Sequence, residues 1–366
     1  FFLVCALLYW LNHPGPITSE AFSIQLRYLF FLPFLFFFTY LLNKKTHEGL
    51  VFNIFLLTAI GFTALGFAEY IYHRWLEGEA FFRLSGYTNP QHYGNYAMLI
   101  FAASVAFHSL WHTRQVTGNR QLILAVLSTT TLALAMASQN RAALLSVPVI
   151  FGLSLVFIHT QQGFTGALRY LPKIVTIIVV SILINANAFF EMFEKTYGQA
   201  ALIQDSESMA GSGFHRGEMW TAAVKVWQES PITGVGFGRY PDAAKKYLTD
   251  TKSTYLIEND GKPHHAHSGY FEYLAGGGVV GLAGLLLLLV APFLYFLKGL
   301  VSRQTPPERR VYFLLGSLLF SVFITGNLTE NFVFFKGWIS LFVILSALVF
   351  AASRQAASSE DDTKQA

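Results

Sequence analysis

Three histidines fall within four residues, His264, His265 and His267, in the run GKPHHAHSGYFEYL over 261–274. Neutral imidazole titrates near physiological pH, so a histidine here can serve as a general base at a membrane surface. Imidazole is also a common metal ligand, but no HExxH spacing is present and no Asp or Glu interrupts the histidines themselves. Solvated loop histidines are the third reading, and spacing alone leaves all three open.

The second group is cationic. Arg141 lies in SQNRAALLS between two apolar runs, with no ordinary loop to hold it. A guanidinium at that depth is costly unless it snorkels to headgroups or meets an anion or watery cavity. Its planar fork suits phosphate. Arg216 heads HRGEMWTAAVKVWQES (215–230), and Arg83 sits in FRLSGYTNPQHYGNYA (82–97), before another apolar run. Arg239, in the glycine-rich turn ITGVGFGRYPD (232–242), is either a further phosphate ligand or a solvated loop charge. Tyr87, Tyr93 and Tyr96 read as interface aromatics rather than sugar contacts.

Several motifs are missing. GVGFG lacks the Lys-Ser/Thr of a P-loop and follows no strand, so it reads as a turn. No Asp-x-Asp pair occurs in an outer loop to hold Mg²⁺ on a diphosphate, so arginines would have to neutralise such a leaving group. Ser146 and Ser268 have no nucleophile-elbow context.

The elements that must position these residues belong to a membrane protein. Apolar residues are 53% and charged ones 13%, against about 25% charged in a soluble domain. There are 36 phenylalanines, and mean hydropathy is +0.44. Cys5 is the only cysteine, which excludes a disulfide scaffold and a thiolate zinc site. The net charge of +4 matters less than its distribution.

A helix needs about 20 apolar residues to cross the bilayer core. Such runs occupy 26–43, 50–70, 92–112, 121–138, 142–159, 172–190, 270–297, 310–328 and 334–352, and 1–11 reads as the end of another. The expected fold is an all-α polytopic membrane protein with about ten visible transmembrane helices. The numbering starts at Phe1 rather than Met, so the first helix is expected to be truncated and the native protein to have about twelve.

One set of alternate connections carries Lys44, Lys45, Arg114, Arg120, Arg169, Lys173, Lys298, Arg303, Arg309 and Arg310, with Arg354 and Lys364 in the tail. The opposite set carries Arg74, Arg83, Arg141 and Lys336. The first set is therefore expected to face the cytoplasm. The expected organisation is transmembrane helices over 1–190, a periplasmic loop over 191–269, further transmembrane helices over 270–352 and a disordered cytoplasmic tail over 353–366. Within the loop, Trp220, Ala223, Val224 and Trp227 recur at helical spacing, with Arg216 one turn before Trp220 and Pro231 as the stop. That pattern predicts an amphipathic helix suited to the membrane interface. Arg83, Arg141 and Arg216 then share the outer side with His267, which favours an anionic ligand there.

RLSGYTNP (83–90), SQNRAALLS (138–146), R-x-x-x-W with PITGVGFG (216–238) and HAHSGYFEYLAGGGVVGLAG (265–284) occur in this order. Together they resemble the O-antigen ligase family, part of the wider superfamily of ligases and O-antigen polymerases. Ser268 stands where that family often has Asn, and serine also caps helices. The resemblance implies a metal-independent, cofactor-free, inverting glycosyltransferase of the bacterial inner membrane, with its site on the periplasmic face. It implies an undecaprenyl-diphosphate-linked glycan as donor and a sugar hydroxyl of lipid A–core as acceptor. The lipid bilayer is the surrounding partner, and no nucleic acid is involved. Carried over by position, Arg141 and Arg216 match the family's essential arginines and His267 its essential histidine. His265 is the first histidine of the same motif, and Arg83 matches a basic residue of the earlier outer loop. Trp220 and Arg239 join Arg83 and His265 as expected substrate contacts. A pilin O-oligosaccharyltransferase or an O-antigen polymerase would share donor and chemistry. A small-anion transporter would use the same arginines differently, but it would distribute ionisable groups along a crossing path.

Overall fold

The computed structural model describes residues 31–42, 47–77, 84–85, 90–115, 118–186, 189–190, 194, 212–248, 263–331 and 336–355. The run 1–11, Arg83, Tyr87 and most of the expected tail lie outside the described residues. All elements among the described residues are helical. They are α1 (Phe31–Leu42), α2 (His47–Ile71, continued by a π turn Tyr72–Leu76), α3 (Pro90–Thr113), α4 (Asn119–Ala137) and α5 (Arg141–Leu144). α6 (Ser146–Ile184), α7 (Ser212–Glu229), α8 (Tyr240–Lys245), α9 (Gly269–Val301), α10 (Pro307–Gly326) and α11 (Lys336–Gln355) follow. Among the described residues, five helices are long and apolar enough to cross a bilayer: Phe52–Ile71, Asn119–Ala137, Ser146–Ile184, Gly269–Val301 and Arg309–Gly326. These make the chain a multi-pass membrane protein.

Most of two expected runs, 142–159 and 172–190, falls within one 39-residue helical stretch, α6. At 1.5 Å per residue it would measure about 58 Å, far beyond a bilayer core of about 30 Å. The resolution is Gly163, whose φ of 70° and ψ of −173° break the helix. The expected loop between the two runs is thus a break at a single residue.

The described chain divides into two compact units. The first contains Phe193–Ala291 and Gly326–Val343, and the second Leu32–Met192, Pro292–Thr325 and Ile344–Ala366. In the second unit α3 is the inner helix. Met98, Phe101, Val105 and Ala106 are fully buried, and so are Asn95, Ser104 and Ser109. This lets α3 carry polar groups, because protein rather than lipid surrounds them. Tyr93 is buried against Gly66 and stacks on Phe62 at 4.8 Å, so it is a core residue and not the interface aromatic expected.

Two arginines in the first turn of α10 have structural work. Arg309 donates to the carbonyl of Ser353, and Arg310 to those of Thr160 and Ser302. Each carbonyl lies at or near a helix C-terminus, where a cation is favoured and unpaired carbonyls need donors.

Candidate functional site

In the first unit, α7 buries Met219, Ala222, Ala223 and Val226 against Tyr240, Ala244, Leu248, Ala266 and Ala275. The buried stripe is therefore rotated from the one expected, with Trp220, Val224 and Trp227 half-buried beside it. Trp227 Nε1 donates to the carbonyl of Pro231, closing the turn after the helix. Tyr240 Oη donates to the carbonyl of Met219 at 2.7 Å, pinning α8 to α7.

The glycine-rich segment after α7 is more than a turn. In an unbroken α9 the carbonyls of Ala275 and Gly276 would accept from the amides of Val279 and Val280. Instead those amides donate to Pro231 and Ile232, at 2.8 and 3.2 Å. The amides of Val235 and Gly236 take the two carbonyls at 3.0 and 2.8 Å. The loop is thus inserted into the ladder of α9, and no group opened by the break is left bare. Two glycines make this possible. Gly234 (φ 68°) would place a Cβ 2.4 Å from the carbonyl carbon of Gly276, and Gly278 (φ 61°) one 2.3 Å from the oxygen of Ile232.

The histidine loop sits at the head of α9. Trp220 Nε1 donates to the carbonyl of Ala266 at 3.0 Å, and its ring stacks on Phe271 at 5.2 Å. The indole N–H is therefore committed to the loop, leaving only the ring for any sugar. The amide of Ala266 donates to buried Glu272 at 2.8 Å. The Ser268 carbonyl accepts the first helical bond, from Glu272, while its hydroxyl donates to the carbonyl of Asn327 at 3.3 Å. The expected hydroxyl cap is thus replaced by a tie to the 326–331 segment. Gly269 N–H reinforces it by donating to the carbonyls of Asn327 and Glu330.

This tie delivers a residue that reading the sequence missed. Glu330 is buried, and its two oxygens face His265 Nε2 and His267 Nδ1, each at 3.5 Å. Burial raises its carboxyl group. The facing side chains of His267 and His265 and the amide of Asn331 outweigh that and hold it below the usual carboxylate range. The available signal was topological: Glu330 lies in the short connection after the 310–328 run, on the same expected side as His267. His267 itself has φ 49°, a left-handed conformation uncommon outside glycine and typical of strained functional sites.

His265, His267 and Glu330 offer ligand atoms within 4.8 Å of one another and are the residues that could hold a metal. The carboxylate absent beside the histidines in sequence is thus supplied from far along the chain. One bond opposes the metal reading. The His267 amide donates to His265 Nδ1 at 3.0 Å, so the lone pair is on Nδ1 and the proton on Nε2. The nitrogen facing the cluster is therefore a donor, whereas metal binding needs a bare nitrogen.

Arg216 is half-buried one turn before Trp220, on the helix that holds Ala266. Arg239, also half-buried, precedes α8 at the end of the inserted loop. His264 is exposed. The first unit thus gathers His265, His267, Arg216, Trp220 and Arg239.

Arg141 belongs to the second unit, where it opens the short helix α5. Asn140 Oδ1 accepts from the amide of Ala143 and so caps that helix, while the Asn140 amide donates to Ser138 Oγ. Gln139 carries the turn with φ 53°. Gly94 packs so closely that a Cβ there would lie 2.4 Å from Ser138 Oγ. The guanidinium is part-buried, which lowers its pKa but leaves it charged. Leu84, next to Arg83, donates to the carbonyl of Ala137, and Ser85 donates to Glu69 through both amide and hydroxyl. The R-L-S and S-Q-N-R motifs are therefore neighbours.

Residues 123–286 match the family model described as O-antigen ligase. The match includes Arg141, Arg216, His265 and His267 and stops before Glu330. Exopolysaccharide production protein ExoQ of Rhizobium meliloti (strain 1021) is 30% identical over 107 residues, 28% of this chain and 23% of that protein. An uncharacterized protein of Haemophilus influenzae (strain ATCC 51907 / DSM 11121 / KW20 / Rd) is 26% identical over 168 residues, 44% of this chain and 40% of its own. The matched segments thus span two fifths or less of either relative's length. The resemblance read from the motifs is a family match over those residues and points to glycan transfer of the ligase or polymerase kind.

Proposed function

We propose that this chain, which carries the O-antigen ligase match over 123–286, transfers O-antigen glycan from undecaprenyl diphosphate to a sugar hydroxyl of lipid A–core. The reaction takes place on the periplasmic face of the inner membrane and needs no metal. The observation that carries the reading is the pairing of His267 Nδ1 with the buried carboxylate of Glu330. A carboxylate on that side keeps the proton on Nδ1, leaves Nε2 as the acceptor and favours the imidazolium that forms.

In the proposed step the acceptor hydroxyl gives its proton to His267 Nε2 while its oxygen bonds to the anomeric carbon. The bond from that carbon to the diphosphate oxygen breaks, and its electron pair leaves with the polyprenyl diphosphate. One anomeric bond is exchanged for another by direct displacement, so configuration inverts. General-base assistance contributes about 10²–10⁴-fold. By resemblance Arg141 and Arg216 hold the diphosphate, each contributing on the order of 3 kcal/mol as charge develops on the leaving oxygen.

A second reading is favoured by one observation, the match to a protein named for exopolysaccharide production. In it the acceptor is another glycan repeat and the enzyme a polymerase. The deciding experiment incubates the purified protein with undecaprenyl-diphosphate glycan and, separately, lipid A–core, pilin or excess donor. Glycosylated lipid A–core is the expected product. Chain extension without it would replace the ligase reading by the polymerase one, and glycosylated pilin would make the enzyme a protein glycosyltransferase.

A further inference from the structure

The histidine loop contains a circuit that a single catalytic histidine does not require. The His267 amide donates to His265 Nδ1 at 3.0 Å. That bond assigns the proton of the neutral His265 ring to Nε2, which faces Glu330 Oε1 at 3.5 Å. The other oxygen, Oε2, faces His267 Nδ1 at the same distance. The path runs from the backbone of His267 through His265 and Glu330 and returns to the side chain of His267. The two rings lie 4.0 Å apart between centroids.

We propose that His265 is a positioning residue for glycan transfer, locked in one tautomer by the backbone of His267 so that it orients Glu330 toward the His267 ring. The proposal rests on the general-base role of His267 and goes beyond it by giving the neighbouring histidine a task that involves neither substrate nor metal. Two features support it. First, the bond to His265 holds the amide of His267 at the residue whose φ is 49°, so it helps maintain the strained conformation. Second, the carboxylate contacts are slack. Charge-assisted N–H to O bonds run at about 2.7–2.9 Å, so 3.5 Å leaves room to close when His267 becomes charged. Interactions that tighten only as the reaction proceeds raise kcat rather than lower KM. His265 prevents Glu330 from rotating away before that happens.

The test measures kcat and donor KM per folded molecule for purified His265→Ala, His265→Asn and His265→Gln. Asn keeps an acceptor near the position of Nδ1, and Gln keeps a donor near that of Nε2. The expected result is a fall in kcat of about 10- to 100-fold for His265→Ala, with KM unchanged within about twofold. Asn and Gln should each recover part of it. Wild-type kcat in His265→Ala would overturn the proposal, as would a loss expressed only in KM or Asn and Gln variants no better than Ala. His267→Ala separates the two levels. If it also transfers normally, the general-base reading itself fails; if it is inactive while His265→Ala is unimpaired, only the positioning role fails.

Discussion

The turns that carry His267 and Arg141 are built alike in backbone and held by different partners. Each has a non-glycine residue in the left-handed region, His267 at 49° and Gln139 at 53°. Each leads into a helix and has a glycine packed tightly against it, Gly269 on Asn327 and Gly94 on Ser138. The frames then diverge. The His267 turn is held by two buried acidic side chains, Glu272 on the amide of Ala266 and Glu330 facing the imidazoles. The bonds described in the Arg141 turn come from Ser138, Asn140 and the hydroxyl of Ser146 on the carbonyl of Ala143. A base that must carry a transient proton benefits from a resident carboxylate. A guanidinium meant for a diphosphate benefits from a rigid support.

Replacing the charges probes this contrast most strongly. Arg141→Ala and Arg216→Ala are each expected to lower transfer about 10²–10³-fold in purified protein. Arg141→Lys should recover only part of the loss, because it keeps charge but not the fork. An undiminished rate for Arg141→Ala would leave that turn without its anion role.

Glu330→Gln comes next. It should destabilise the protein by about 2 kcal/mol, the scale of a hydrogen bond to a charged group, measured as the shift in thermal midpoint. The sign of its pH dependence follows from a carboxyl held below its ordinary value. Its stabilisation is complete above the unfolded value of about 4.3 and disappears as pH falls through the lower folded one. The gap between wild type and Glu330→Gln should narrow as pH falls below about 4. A gap that did not narrow in acid would mean that Glu330 is not ionised.

Glycines outside the turns give a smaller contrast. Gly234→Ala meets the backbone of Gly276 and should cost about 1–3 kcal/mol or more. Gly163→Ala, with open space around it, should cost about 1 kcal/mol from φ alone. Trp220→Phe keeps the stack on Phe271 but loses the bond to Ala266, about 1 kcal/mol. EDTA should leave the transfer rate unchanged; inhibition reversed by added metal would turn the His265, His267 and Glu330 cluster into a metal centre.

Periodicity made the apolar helices legible, and residue chemistry singled out Arg141, Arg216 and His267 as candidates. What stayed hidden depended on contacts distant in sequence. Glu330 is anonymous in GNLTEN until the Ser268 and Gly269 bonds to Asn327 bring that segment under the histidines. GVGFG reads as a turn because nothing local reveals that its amides complete the ladder of a helix beginning at Gly269. The face of α7 was legible only in part: tryptophans dominate the hydrophobic pattern, whereas close packing buries Met219, Ala222 and Val226 beside the expected Ala223.

The most direct test of the general-base role compares wild type and His267→Ala in purified form, at equal folded concentration, with undecaprenyl-diphosphate glycan and lipid A–core. Loss of transfer by about 10²–10⁴-fold with donor binding retained is expected. Transfer at the wild-type rate would contradict that role.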